Sequence, residues 1–458
     1  MTKLPTIDVG FLLTESHHSP KHVAGLQIFR LPKGKGPAWL RKLLDEVRLV
    51  PPGYPFNQRL KTDVIQPELE FDDHFEIDYH VRHTVLPGPG SMEQLLDVVA
   101  RMHANLLDRE RPLWEFHLIE GISGRRFAFY TKIHHVLCDG ITFARWFAES
   151  GSKSATDMNS RPIWQRDEIP NAGNDEDVSY AQMIIDGVKM LGGGFKTALG
   201  VSALSAKLLQ RRFFDGDSNI ALPLSAPRTA LNVAPGAARN LTFTQYPLEE
   251  VRAIAHSQGG SINDLVLTIC DLAVNRYFEE TGQAPEEPLI AYMPVNLRHE
   301  KEQDNRNLIS LLQVKMASAH KDPLAALQEI IKSSRSARDV FSSASRPAIQ
   351  YYTLLVALLS QFEETLKLDK FLPPAINMVI SNLPGPRKTM YFRGAEVVEV
   401  YPVSTLPPMT ALNVTACSYA DNIYFGLVSG RTAVPDLQKL TDYLDEAYSE
   451  LREKTRKK

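Results

Sequence analysis

Strand and helix signals alternate along the first 150 residues. His22 to Phe29 (HVAGLQIF) reads as a strand, and Pro37 to Val50 as an amphipathic helix with Leu40, Leu43, Leu44 and Val47 on one side. Ser91 to Leu107 reads as a second helix. A hairpin follows, from Trp114 to Glu120, through a glycine-containing turn at Gly121 to Gly124, to Arg126 to His135. Gly151 to Asp177 is rich in Ser, Asn, Asp and Pro and reads as a surface crossover. Residues 178–214 read as helical with a break at Gly192-Gly193-Gly194, and Leu222 to Gly236 has the proline content of an extended linker.

A second region of mixed elements starts near Asn240. Leu241 to Tyr246, Pro288 to Val295, Leu308 to Met316 and Ile423 to Ser429 read as strands. Leu248 to Gln258, Ser261 to Thr281, Pro323 to Phe341 and Leu437 to Lys454 read as helices. The two halves share a style without an obvious sequence repeat. The pattern predicts an α/β protein of two domains, residues 1–177 and 240–458, joined by a helical linker and crossover over 178–239.

Length agrees with this, because 458 residues are too many for one compact core. The hydrophobic share of 43% and charged share of 23% are those of an ordinary globular protein, which excludes a disordered or fibrous chain. A formal net charge of −3 gives no global attraction to nucleic acid or to anionic lipid, so any membrane affinity is local. Cys138, Cys270 and Cys417 lie far apart without CxxC spacing, which argues against a disulfide scaffold or a structural zinc and suits a reducing cytoplasm. The start, MTKLPTIDVGFLL, lacks the apolar run of a signal peptide. No apolar stretch approaches the roughly 18 residues of a membrane span. The expectation is a cytoplasmic protein, soluble or peripheral at a membrane or lipid inclusion.

The segment that carries chemistry is Phe127 to Gly140, FAFYTKIHHVLCDG. Side chains alternate along a strand, so Phe127, Phe129, Thr131, Ile133 and His135 share one face while Lys132 and His134 point the other way. Adjacent strand histidines cannot converge on one metal, and no metal is expected. Asp139-Gly140 then makes a turn into a helix beginning at Ile141. His135 thus ends an apolar strand face just before a tight turn, where a near-neutral imidazole can take a proton from a hydroxyl and return it to a leaving group.

These residues resemble the bacterial wax ester synthase/diacylglycerol acyltransferase family, within the superfamily of CoA-dependent acyltransferases that includes chloramphenicol acetyltransferase and peptide-synthetase condensation domains. The resemblance spans nearly the whole chain. Its segments are Pro112-Leu113-Trp114, His134 to Gly140, Ser261-Ile262-Asn263-Asp264, Pro294-Val295-Asn296-Leu297-Arg298 and Ser381-Asn382-Leu383-Pro384-Gly385-Pro386. Cys138 departs from it, standing where a small or acidic residue is common. The resemblance implies two chloramphenicol-acetyltransferase-like domains with mixed sheets and a substrate tunnel at their interface. It implies a long-chain acyl-CoA as substrate, no cofactor, and a fatty alcohol or diacylglycerol as acceptor. His135 would be the base, with Asn263 orienting groups or stabilising an oxyanion. His134, Asp139, Gly140, Asp264 and Arg298 would be structural, with an Asp139–Arg298 pair tying the halves together. The rival readings are an enzyme using a carrier-protein-bound acyl donor, or a non-catalytic lipid-binding protein.

Other candidates are weaker. Cys138 lies three residues from His135 across a turn, no GxSxG elbow occurs, and Gly192 to Thr197 lacks the Gly-Lys-Ser/Thr order of a phosphate loop. Met409 is either core or an acyl-pocket residue. Met183 to Phe214 mixes apolar and small residues with Lys189, Lys196, Lys207, Arg211 and Arg212, which suits an interfacial helix.

Overall fold

Every residue of the strand His22–Arg30 except Arg30 is buried, so this strand must be covered on both faces and both edges. A computed structural model shows how. It describes residues 2–62, 67–167, 207–222, 224–296, 309–318, 322–342, scattered positions between 344 and 364, and 373–456. His22–Arg30 pairs antiparallel with Arg126–His134, Val23 opposite Ile133 and Phe29 opposite Phe127. Arg126–His134 pairs in turn with Trp114–Ile122, the hairpin expected from the alternation. Val81–Val85 adds a parallel edge strand. On the other side of His22–Arg30 lies Ala395–Val403, followed by Tyr391–Phe392 at the edge, completing a six-stranded sheet.

A second six-stranded sheet is built in the order Ile309–Lys315, Ile290–Asn296, Met378–Leu383, Leu412–Tyr419, Asn422–Gly430, Arg239–Pro247. Met378–Leu383 runs parallel to both its neighbours, which makes this sheet mixed as well. The helix Ile262–Glu280 packs against it and against Leu437–Arg456 and Pro323–Ser342. Its capping box is complete: Asp264 N–H donates to Ser261 Oγ, and Asp264 Oδ2 accepts from Ser261 N–H at 2.8 Å. Two large buried clusters result, one around each sheet.

The division of the chain at 240 does not coincide with the division between the sheets. Ala395–Val403 belongs by sequence to the second half and by hydrogen bonding to the first sheet. It packs there against Leu412–Tyr419 and Asn422–Gly430 and stitches the two layers together. Tyr419 and Tyr424 hydroxyls donate to the Val397 and Val398 carbonyls at 2.9 and 3.1 Å, and Phe243 stacks on Tyr401 with centroids 4.2 Å apart. Gly426 makes the closest approach possible, since a Cβ there would lie 1.8 Å from the Pro402 carbonyl oxygen.

Two connections are more deeply held than their composition suggests. In the polar crossover after Gly151, Trp164 is completely buried and donates to the Val50 carbonyl. In the proline-rich stretch, Leu231 is buried and Asn232 bonds the Ile376 carbonyl at 2.6 Å. Most of the helical reading over 178–214 lies outside the described residues. Among the described residues no helix is long and apolar enough to cross a membrane.

Candidate active site

His135 follows the last residue of its strand. Its N–H donates to the Lys21 carbonyl at 2.8 Å, extending the pairing by one residue. Its ring stacks on Phe11, centroids 4.4 Å apart and planes 7° from parallel. It lies in the wall of a cavity of about 490 Å3 between the two sheets. The first half supplies Val23, Gly25 and Phe143 to that wall, and the second half Asn263, Tyr292, Val379, Asn382 and Thr415. Burial, helped by the neighbouring Lys21 ammonium, draws the imidazole down to about 3. The ring is therefore neutral at physiological pH, and its burial holds it below the near-neutral range expected from the sequence.

His134 faces away from this space and is fixed on both nitrogens. Its Nδ1 accepts from Val136 N–H at 3.1 Å, which makes Nε2 the donor to Glu15 Oε1, also at 3.1 Å. Glu15 further accepts from Lys21 N–H and from the Arg109 guanidinium. Asp139 is fully buried and caps the helix Gly140–Ser150, accepting from Thr142 N–H at 2.8 Å. Gly140 sits beneath Leu383, whose methyls would lie 3.1 and 3.2 Å from a Cβ at that position. Arg298 lies outside the described residues, and with it the Asp139–Arg298 pair.

From the other half, the start of the helix Ile262–Glu280 presents Asn263 to the cavity. Its Oδ1 accepts from Asn382 Nδ2 at 2.8 Å, so the Asn263 amide nitrogen is the end left to donate. Asp264 points elsewhere: Oδ2 closes the capping box, and Oδ1 accepts from Ser334 with Arg338 at 3.6 Å.

Cys138 is fully buried, is not part of the cavity wall, and has its thiol pushed well above the usual range by burial. That geometry gives it no route to act as a nucleophile. Met409 is buried and also outside the wall, although its neighbours Pro408 and Thr410 belong to it. The sequence reading assigned no role to Phe11, Lys21 or Asn382. Asn382 lies in a motif already noticed, whereas Phe11 and Lys21 are located only by strand register and by the fold of the amino-terminal helix.

Comparison with known proteins agrees with this architecture. The family model described as wax ester synthase/diacylglycerol acyltransferase catalytic domain matches residues 4–266, and its C-terminal companion matches 306–452. A probable diacylglycerol O-acyltransferase of Mycobacterium tuberculosis is 33% identical over 455 residues, covering 97% of this chain and 98% of that protein. The O-acyltransferase WSD of Acinetobacter baylyi is 32% identical over 461 residues, covering 97% and 96%. The solved wax ester synthase/diacylglycerol acyltransferase from Marinobacter aquaeolei VT8 superposes with a TM-score of 0.74 at 30% identity, over 99% of this chain and 100% of that one. The first condensation domain of the CDA synthetase, at 15% identity and a TM-score of 0.58, shares the fold. Matched along both halves in sequence and in structure, the chain belongs to the wax ester synthase/diacylglycerol acyltransferase family and is an acyltransferase.

Proposed function

We propose that the chain esterifies a fatty alcohol or diacylglycerol with the acyl group of a long-chain acyl-CoA, with His135 as general base and no covalent enzyme intermediate. The observation that carries this reading is the ring of His135 in the wall of an apolar cavity, with the amide of Asn263 in the same wall from the other half of the chain. His135 takes the hydroxyl proton as the oxygen attacks the thioester carbonyl. The Asn263 amide nitrogen donates to the oxyanion that develops, a role that strengthens only as charge builds. The imidazolium then protonates the departing thiolate. Because a thiolate leaves readily, the protein's main tasks are to align two apolar chains and to exclude water, which the same base would otherwise activate.

Both acceptors are included because the names of the relatives cover wax ester synthase and diacylglycerol O-acyltransferase. Purified protein given palmitoyl-CoA with hexadecanol, and separately with diacylglycerol, should form ester and release CoA. Absence of both esters would overturn the reading. A lipid surface is the setting we propose for this chemistry. Phe213 and Phe214, 67% and 87% exposed, adjoin Arg211 and Arg212, a composition suited to an interface. Flotation with anionic liposomes should be lost in Phe213→Asp/Phe214→Asp, and unchanged flotation would remove this part.

A further inference from the structure

Two lysines of the first sheet are buried, and they are treated differently. Lys132, fully buried, has its ammonium 3.2 Å from Glu115 and donates to the Met102 and Asn105 carbonyls at 3.0 and 3.1 Å. That is how a structural buried lysine is compensated. Lys21 is 4% exposed and is the one charged side chain among the described residues of the cavity wall. Among the described residues its ammonium makes a single hydrogen bond, to Ser19 Oγ at 2.5 Å, and no ion pair. Ser19 spends its own proton on the Leu406 carbonyl, so it can only accept from Lys21. Two of the three ammonium protons thus have no acceptor there.

Register sets where this charge stands. His22 is opposite His134, and His135 N–H bonds the Lys21 carbonyl, so Lys21 and His135 are cross-strand neighbours entering the same cavity. The charges of Glu364 and Glu15 favour the ammonium, although neither forms an ion pair with it among the described residues, and Arg239 opposes them. Burial brings the ammonium down to about 8, which leaves it mostly charged at neutral pH. A buried cation with unused donors is costly until an anion meets it.

We propose that the cavity binds free long-chain carboxylates, with the headgroup on Lys21 and the chain in the apolar space, and that unesterified fatty acid thereby competes with substrate and restrains the enzyme. The inference rests on the reading of this cavity as the acyl site. A volume of about 490 Å3 lies within the usual range of ligand pockets. The shared chemistry is an anionic oxygen, for which the phosphates of CoA are the other source. Those phosphates are separated from the sulfur by the whole pantetheine arm, whereas Lys21 is the immediate neighbour of His135. A carboxylate also brings one charge to one ammonium, in a charge-assisted hydrogen bond.

The test measures equilibrium binding of palmitate, methyl palmitate and CoA to the intact protein and to Lys21→Met, with no turnover required. Palmitate should bind the wild type at least about tenfold more tightly than methyl palmitate, and Lys21→Met should remove that preference while leaving methyl palmitate binding unchanged. Palmitate should also inhibit ester synthesis by the wild type competitively, and inhibit Lys21→Met at least about tenfold less. Equal binding of palmitate and its methyl ester by the wild type would overturn the proposal, whatever the variant's stability. So would a loss of CoA binding in Lys21→Met with palmitate unaffected, which would assign the ammonium to the acyl donor's phosphates. Lys21-dependent palmitate binding by a protein that forms no ester would refute the proposed function and the competition with substrate, and leave only the carboxylate site standing.

Discussion

Glu15 is the residue through which the wall behind His135 is held. Its carboxylate, 3% exposed, accepts from His134 Nε2 at 3.1 Å, from Lys21 N–H at 3.0 Å, and from Arg109 Nη2 at 2.8 Å. Burial alone would raise its pKa. The hydrogen bond from His134, then the Lys21 main chain and Arg109, outweigh burial and hold it at about 2 instead of the ordinary 4.5. By linkage that displacement corresponds to about 3 kcal/mol of stability. A depressed carboxyl contributes fully above pH 4.5 and loses its contribution as pH falls from 4.5 towards 2. Glu15→Gln keeps the size and one acceptor but abolishes the charge, and should cost about 2–3 kcal/mol at pH 7. Since Lys21 carries the backbone carbonyl that holds His135, turnover should fall too, by roughly tenfold. Guanidinium unfolding of both proteins at pH 7 and pH 4 is the assay, with the gap narrower at pH 4. Coincident transitions at pH 7 would refute the reasoning.

Other consequences are as direct. Asn263→Ala should lower kcat by about 10²–10³-fold with little change in KM, and Asn382→Ala, which releases the Asn263 amide and itself alters the cavity wall, should lower it by roughly tenfold; steady-state kinetics check both, and an unaffected kcat in Asn263→Ala would remove it from the chemistry. Gly426→Ala forces a Cβ into the Pro402 carbonyl between the layers and should cost about 1–3 kcal/mol, read as a lower melting temperature. His22, His80, His103, His117 and His135 are all held below the ordinary 6.5 by burial, His80 to about 4 and His103 to about 3. The unfolded chain therefore takes up more protons below pH 6.5, and melting temperature should drop steadily from pH 6.5 to pH 5. A flat profile over that range would contradict it.

The hairpin Trp114–Ile122 and Arg126–His134, and with it the face that His135 occupies, is legible because its two strands pair across a short glycine turn, whereas His22–Arg30 reads as a strand only from its largely apolar run and finds its partner about 100 residues on. The segment AEVVEVYPV, now the strand Ala395–Val403, carried no such signal. Its partner lies some 370 residues away, and only that pairing shows that it joins the first sheet. Met378–Leu383 begins as a short apolar run (MVI) without alternation, which is how a strand buried within a sheet reads, and the polar Asn413 and Thr415 of Leu412–Tyr419 are themselves buried, so its alternation does not mark a solvent face. Trp164 shows the limit of composition, since its polar surroundings read as surface while the indole itself fills the core. Lys21 was invisible because its importance depends on register with His135 and on the lack of a carboxylate partner, neither of which a linear pattern records.

His135 and His134 are told apart as the base by ester synthesis in His135→Ala and His134→Ala under the same saturating palmitoyl-CoA and hexadecanol, with melting curves of each. His135→Ala should keep its melting temperature and lose activity by about 10²-fold or more. His134→Ala, which removes a partner of Glu15, should lower the melting temperature and retain much more of the activity. An inactive His134→Ala beside an active His135→Ala, or two equally active variants, would contradict the account.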